Sequence, residues 1–131
     1  MPEGVRHACS QWPRRPHLRV AGSCLLNKYR TLADSMGWHS DNERPYGSTP
    51  TIASVSLGAP RDFDMRHNAS RRRIRVTLSA GDVLIMRGTM QQHWQHAVPK
   101  GGKSAAARAG GDQADPRINL TFRTILHPEA Q

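Results

Sequence analysis

From Cys24 onward the chain is a succession of seven short runs, CLLNKY, TIASVSLG, RDFDMRH, RIRVTLS, DVLIMRG, WQHAV and RINLTFRTI, set apart by Gly, Pro, Asp, Asn and Ser. Each run is β-branched or alternating, and many such runs at short intervals are the pattern of a sandwich or barrel. No long amphipathic helix comes between them, which excludes the βαβ alternation of a Rossmann or P-loop domain. The 131 residues make one domain, and a domain of this size buries about two-thirds of its unfolded surface. With 37% hydrophobic and 5% aromatic residues, eleven glycines and nine prolines, the composition suits strands and turns better than a helical bundle. A mostly β domain is predicted.

Residues 1–23 have no period and read as an irregular basic N-terminal arm, residues 24–127 as the core, and 128–131 as a tail. Within the core, residues 100–115, KGGKSAAARAGGDQAD, read as a mobile Gly/Ala-rich loop. Arg71, Arg72 and Arg73, with Arg75 following, come after HNAS and predict an exposed edge or hairpin. Nineteen Lys and Arg against ten Asp and Glu give a formal charge of +9. Such an excess attracts polyanions and puts nucleic acid first among macromolecular partners, against the plainer alternative of an Arg-rich proteome. Cys9 and Cys24 form no framework, so a reducing intracellular compartment is expected, nucleus or cytoplasm in a eukaryote. The arm is rich in Arg and poor in acid like a mitochondrial transit peptide, but its prolines at 2, 13 and 16 oppose an amphipathic helix. No apolar run reaches the roughly 20 residues that span a bilayer, so no membrane association and a monomer are expected.

The stretch WHSDNE supplies the first chemistry. Residues two apart on a strand project to one face, so His39 and Asp41 can reach a single cation from one sheet edge. A facial triad for ferrous iron needs one more imidazole and leaves positions open, whereas structural zinc wants four closed ligands, usually thiolates. QQHWQHAV offers His93 and His96 for the third place. In RINLTFR, Arg117, Asn119, Thr121 and Arg123 share one face and Ile118, Leu120 and Phe122 the other, which is expected to be core. Two arginines on a buried sheet require an anion. About 20 Å separates their Cα atoms, and a small dicarboxylate held at both ends would satisfy them. A surface strand with exposed arginines fits the same spacing. Asn27 and Tyr29 in LLNKY also share a face and can add an amide and a phenol to such an anion. Cys24 reads as a small buried hydrophobe, and Trp38 and Trp94 as packing residues beside the metal strands.

Taken in order, NKY, WHSDNE, IASVSLGA, GDVLIMRG, HWQHAVPK and PRINLTFR resemble the catalytic core of the AlkB family of iron- and 2-oxoglutarate-dependent nucleic-acid dealkylases, in the branch of its second and third human homologues and nearer the third. The resemblance covers roughly residues 24–125. It implies a double-stranded β-helix, or jelly roll. It also implies iron ligands His39, Asp41 and His96, with His96 and not His93 in the third place. Cosubstrate contacts would come from Asn27, Tyr29, Arg117, Asn119 and Arg123, and Glu43 would help hold the substrate base. The implied cofactors are Fe(II), 2-oxoglutarate and O2. The implied reaction hydroxylates an N-methyl group of bases such as 1-methyladenine and 3-methylcytosine in DNA or RNA, single strands favoured, and releases formaldehyde, succinate and CO2. The base must be flipped out or unpaired to be reached.

The chain departs from the family pattern at its start. Only 26 residues precede Asn27, where the family has framework helices and a lid over the base. Incomplete N-terminal support and a missing lid are therefore expected, and two alternatives follow. One is a non-catalytic nucleic-acid-binding fragment; the other is a 2-oxoglutarate dioxygenase acting on protein or lipid.

Overall fold

The computed structural model describes residues 22–101 and 115–126. The basic arm but for its last two residues, most of the Gly/Ala-rich loop and the tail lie outside the described residues. Eight strands form: β1 (Ser23–Tyr29), β2 (Met36–His39), β3 (Ile52–Gly58), β4 (Arg61–His67), β5 (Arg73–Leu78), β6 (Val83–Met86), β7 (Trp94–Val98) and β8 (Arg117–Arg123). Among the described residues one turn of 3-10 helix, Arg44–Tyr46, follows β2, and one α-helical turn, α1 (Met90–His93), precedes β7. Seven strands coincide with the seven runs in the sequence. The extra one, β2, is only four residues of MGWH with a glycine inside, too short to show a period.

The strands make two four-stranded antiparallel sheets, ordered β1-β8-β3-β6 and β2-β7-β4-β5. The chain changes sheet at every connection but the β4–β5 hairpin, the path of a jelly roll. Gly58 ends β3 at φ +81°, and a Cβ there would collide with the carbonyl oxygen of Pro116, so the crossing to β4 requires glycine. The β4–β5 hairpin is closed by the His67 amide on the Arg72 carbonyl at 2.9 Å, with Arg71 in the left-handed region at φ 59°. Arg71, Arg72 and Arg73 are exposed on it, as their sequence suggests.

Between the sheets Tyr29, Ile52, Phe63, Leu78, Met86 and Val98 form a small buried cluster. Beside it the interior turns polar, which reverses one expectation. Arg117, Asn119, Thr121 and Arg123 are the buried face of β8, at 2 to 9% exposure, while Ile118, Leu120 and Phe122 are half-buried on the outside. Alternation defines two faces but not which points inward. Here the polar face is held by partners across the interior, and the apolar one joins an outer row of Leu26, Leu120, Val55 and Val83 in mutual register. Cys24 lies on that outer face and is exposed, not buried.

Candidate metal centre and cosubstrate pocket

The β2–β7 pairing puts His39 directly opposite His96. Their ring centroids are 4.3 Å apart, edge to face, and the His96 ring stacks on Phe63 at 5.4 Å. The Nδ1 of His39 lies 2.8 Å from the Gly37 carbonyl oxygen. A carbonyl can only accept, so Nδ1 carries the proton and Nε2 keeps its lone pair for a cation. Burial, followed by the neighbouring His39, pushes the pKa of His96 down to about 4. Its imidazole is therefore neutral near pH 7, the form that ligates.

Asp41 does not share a strand with His39 as the sequence spacing suggested. It lies two residues beyond the end of β2 and is held by side chains. Its amide donates to Gln91 Oε1 at 2.9 Å, and its Oδ2 accepts from Nε and Nη2 of Arg123 at 2.9 and 2.7 Å. Its Oδ1 faces His39 Nε2 at 3.9 Å. One ligand atom from each of His39, Asp41 and His96 lies within 4.8 Å of the others, and no fourth His, Cys, Asp or Glu joins this group among the described residues. Two imidazoles and a carboxylate on one side suit a facial iron site and leave it open, unlike a closed zinc site. His93 is elsewhere, its ring stacked on His67 at 6.3 Å.

A cavity of about 250 Å³ runs from this cluster between the sheets, lined by Asn27, Tyr29, Glu43, Tyr46, Arg117, Asn119 and Arg123 among others. Strand register explains the convergence: Asn27 faces Asn119 and Tyr29 faces Arg117 across β1 and β8. The two arginines then divide. Arg123 is spent on Asp41 at the metal end. Arg117 donates one bond, from Nη2 to Ser56 Oγ at 3.0 Å, while its Nε and Nη1 are buried without a partner. Buried guanidinium donors left unmade are costly, so this end of the cavity fits an anion's carboxylate. The Asn119 amide is committed to Ser54 Oγ and the Val55 carbonyl, and its oxygen accepts from Thr121. Glu43 is exposed at the mouth. Gln91, Phe63 and Tyr46 carry no sequence signal; Ser54 and Ser56, missed in the sequence, alternate in the apolar run of β3, a signal that could have marked its polar interior face.

A jelly roll with an open two-histidine, one-carboxylate cluster and a buried guanidinium with donors to spare defines a class of oxygenase. The chain belongs to the 2OG-Fe(II) oxygenase superfamily, whose family model matches residues 1–123, and this brings Fe(II), 2-oxoglutarate and O2 as its cofactors. Within it the chain is an AlkB-family homologue. It is 43% identical over 112 residues to the mouse alpha-ketoglutarate-dependent dioxygenase alkB homolog 3, covering 79% of this chain and 36% of that protein. It is 39% identical over 110 residues to the human DNA oxidative demethylase ALKBH2, covering 78% and 39%. The solved structure of OsALKBH1 superposes with a TM-score of 0.54 at 28% identity, over 77% of this chain and 47% of that one. The chain thus spans little more than a third of the curated relatives it matches.

Proposed function

We propose that this chain carries the catalytic core of an Fe(II)- and 2-oxoglutarate-dependent demethylase of alkylated bases in DNA or RNA. The observation that carries the reading is the open His39–Asp41–His96 cluster at one end of a cavity whose other end is Arg117, with its buried Nε and Nη1 unpartnered. His39 Nε2, an Asp41 oxygen and an imidazole nitrogen of His96 would hold the iron. Arg117 and Tyr29 would grip the far carboxylate of 2-oxoglutarate, and Asn27 would contact it. When bound, iron and cosubstrate supply the oxygen activation that hydroxylates an N-methyl group, which leaves as formaldehyde while 2-oxoglutarate becomes succinate and CO2.

The chain's own residues prepare that site. The neutral His96 binds a cation without first losing a proton, Arg123 holds the Asp41 carboxylate while Gln91 holds its main-chain amide, and the apolar wall of Phe63 and Met86 limits water. Methylation at a ring nitrogen of adenine or cytosine leaves a cation, which the exposed Glu43 carboxylate at the mouth would attract. Nucleic acid is further supported by the outer surface of the second sheet. There the Arg66 guanidinium lies 4.4 Å over the Trp38 ring with Arg73 at 5.7 Å, beside the exposed Arg71 and Arg72. Unpaired bases suit a site that takes its substrate base out of the stack.

The test is methyl loss from a single-stranded oligonucleotide bearing 1-methyladenine or 3-methylcytosine, incubated with the chain, Fe(II), 2-oxoglutarate and ascorbate. Loss in the wild type and none in Asp41→Ala is expected. A folded chain that binds Mn(II) and 2-oxoglutarate yet leaves the methyl in place overturns the nucleic-acid reading.

A further inference from the structure

Arg61 is the buried cation that the scheme above leaves without a task. It opens β4 at 2% exposure, and its guanidinium donates to three main-chain carbonyl oxygens: Thr31 at 3.2 Å, Asp34 at 2.7 Å and Pro99 at 2.7 Å. Two of these belong to the connection between β1 and β2, and the third follows the end of β7. One side chain therefore ties together the strands that carry Tyr29, His39 and His96. The same guanidinium lies 5.3 Å from the centroid of the Tyr29 ring, while that of Arg117 lies 5.2 Å from it. A phenol ring attracts guanidinium through its π-face, so Tyr29 is pinned by two cations at the end of the cavity where Arg117 has donors to spare.

We infer that Arg61 is a positioning residue for cosubstrate: it fixes the Tyr29 ring against Arg117 at the anion-binding end of the cavity. The inference rests on the reading of that pocket as the 2-oxoglutarate site. An anion there would meet the Arg117 donors directly, beside a Tyr29 ring held so that it cannot drift. Removing Arg61 should therefore weaken capture of the dicarboxylate more than it slows the reaction once the pocket is filled.

The test compares wild type, Arg61→Met, Arg61→Lys, Tyr29→Leu and the Arg61→Met/Tyr29→Leu double variant. Binding of 2-oxoglutarate to the Mn(II)-loaded chain is measured by calorimetry, and KM and kcat by succinate release. Expected for Arg61→Met is about a tenfold rise in Kd and KM for 2-oxoglutarate, with kcat at saturation within twofold. Arg61→Lys keeps the charge but not the three-way grip, and should fall between. The double variant should bind no worse than Tyr29→Leu alone, because an effect exerted through a ring vanishes with the ring. Additive losses, or a fall in kcat at unchanged KM, overturn the inference, as does unaltered binding by Arg61→Lys should Arg61→Met fail to fold. A wild-type chain that binds no 2-oxoglutarate overturns the pocket reading itself, which separates the two failures.

Discussion

Arg117 shows at the scale of one residue how a site is made at the expense of stability. Its Nε and Nη1 are buried with nothing to receive them, and burial pulls its pKa down from the usual guanidinium value. Replacing such a group by an apolar side chain of similar length is often neutral or stabilising, by about 1–4 kcal/mol. Arg117→Met should therefore raise or preserve the urea midpoint of the ligand-free chain while weakening 2-oxoglutarate binding by at least about thirtyfold, the cost of truncating one partner of a buried charge pair. A variant that is both less stable and still competent to bind would show that Arg117 is a structural cation. His96 makes a second residue-level prediction. Its folded pKa, about 4, is below the unfolded value of about 6.5, so protons favour the unfolded chain. The stability of the metal-free protein should be full above pH 6.5 and fall by roughly 3 kcal/mol on the way to pH 4. Urea titrations of wild type and His96→Leu should diverge across that window, and parallel curves would refute it. Arg117, Asn119 and Arg123 were legible as one face because strand period brings every second residue to the same side, whereas His39 and Asp41 stood out by their spacing although Asp41 lies beyond the end of the strand. Gln91, which holds the Asp41 amide from fifty positions away, was not legible, since nothing local distinguishes it from Gln92.

Among the elements, β8 was read correctly as a strand and incorrectly as to which side is core. Hydrophobicity normally settles the direction of a face, but β8 is apolar outside and polar within, and only the partners supplied by β3 and by the Asp41 loop reveal it. The strand expected through His39 is there as β2, but it stops at His39 and does not reach Asp41. The β4–β5 hairpin was legible because its arginines leave no apolar alternation to bury. Its Asp64 and Arg75 pair at 2.6 Å across the strands, whereas Arg71, Arg72 and Arg73 extend into solvent. If these three meet phosphates, each releases about 0.7 of a counterion from a single strand, so replacing all three by Ser should lower the slope of log affinity against log salt by about 2. Fluorescence anisotropy with an unmodified single-stranded oligonucleotide over a salt series reads this directly. An unchanged slope would remove the hairpin from the interface.

For the molecule as a whole, the two sheets face each other across few apolar side chains and many polar ones. Among the described residues eight hydrophobic side chains are buried, two of them alanine, while ten polar or charged residues are equally buried, among them Arg61, Arg117, Arg123 and Asp41. A fold built this way is completed by what occupies the cavity, because a cation and a dicarboxylate would supply the partners that His39, His96 and Arg117 lack. Ligands that bind only the native state stabilise it by about 2.7 kcal/mol at a hundred times their Kd, which for a domain of this size corresponds to roughly 10 °C in Tm. Mn(II) with 2-oxoglutarate should therefore raise the Tm of the wild type by about that amount. Mn(II) alone should give a smaller shift, since Arg117 would remain unpaired, and 2-oxoglutarate alone should give little, since only one end of it would be held. In Asp41→Ala the Mn(II) shift should disappear, and the loss of its partner carboxylate would leave Arg123 buried and unpaired, lowering the starting Tm as well. Equal shifts in wild type and Asp41→Ala would place the cation somewhere other than between His39 and His96, and the polar interior would then need another explanation.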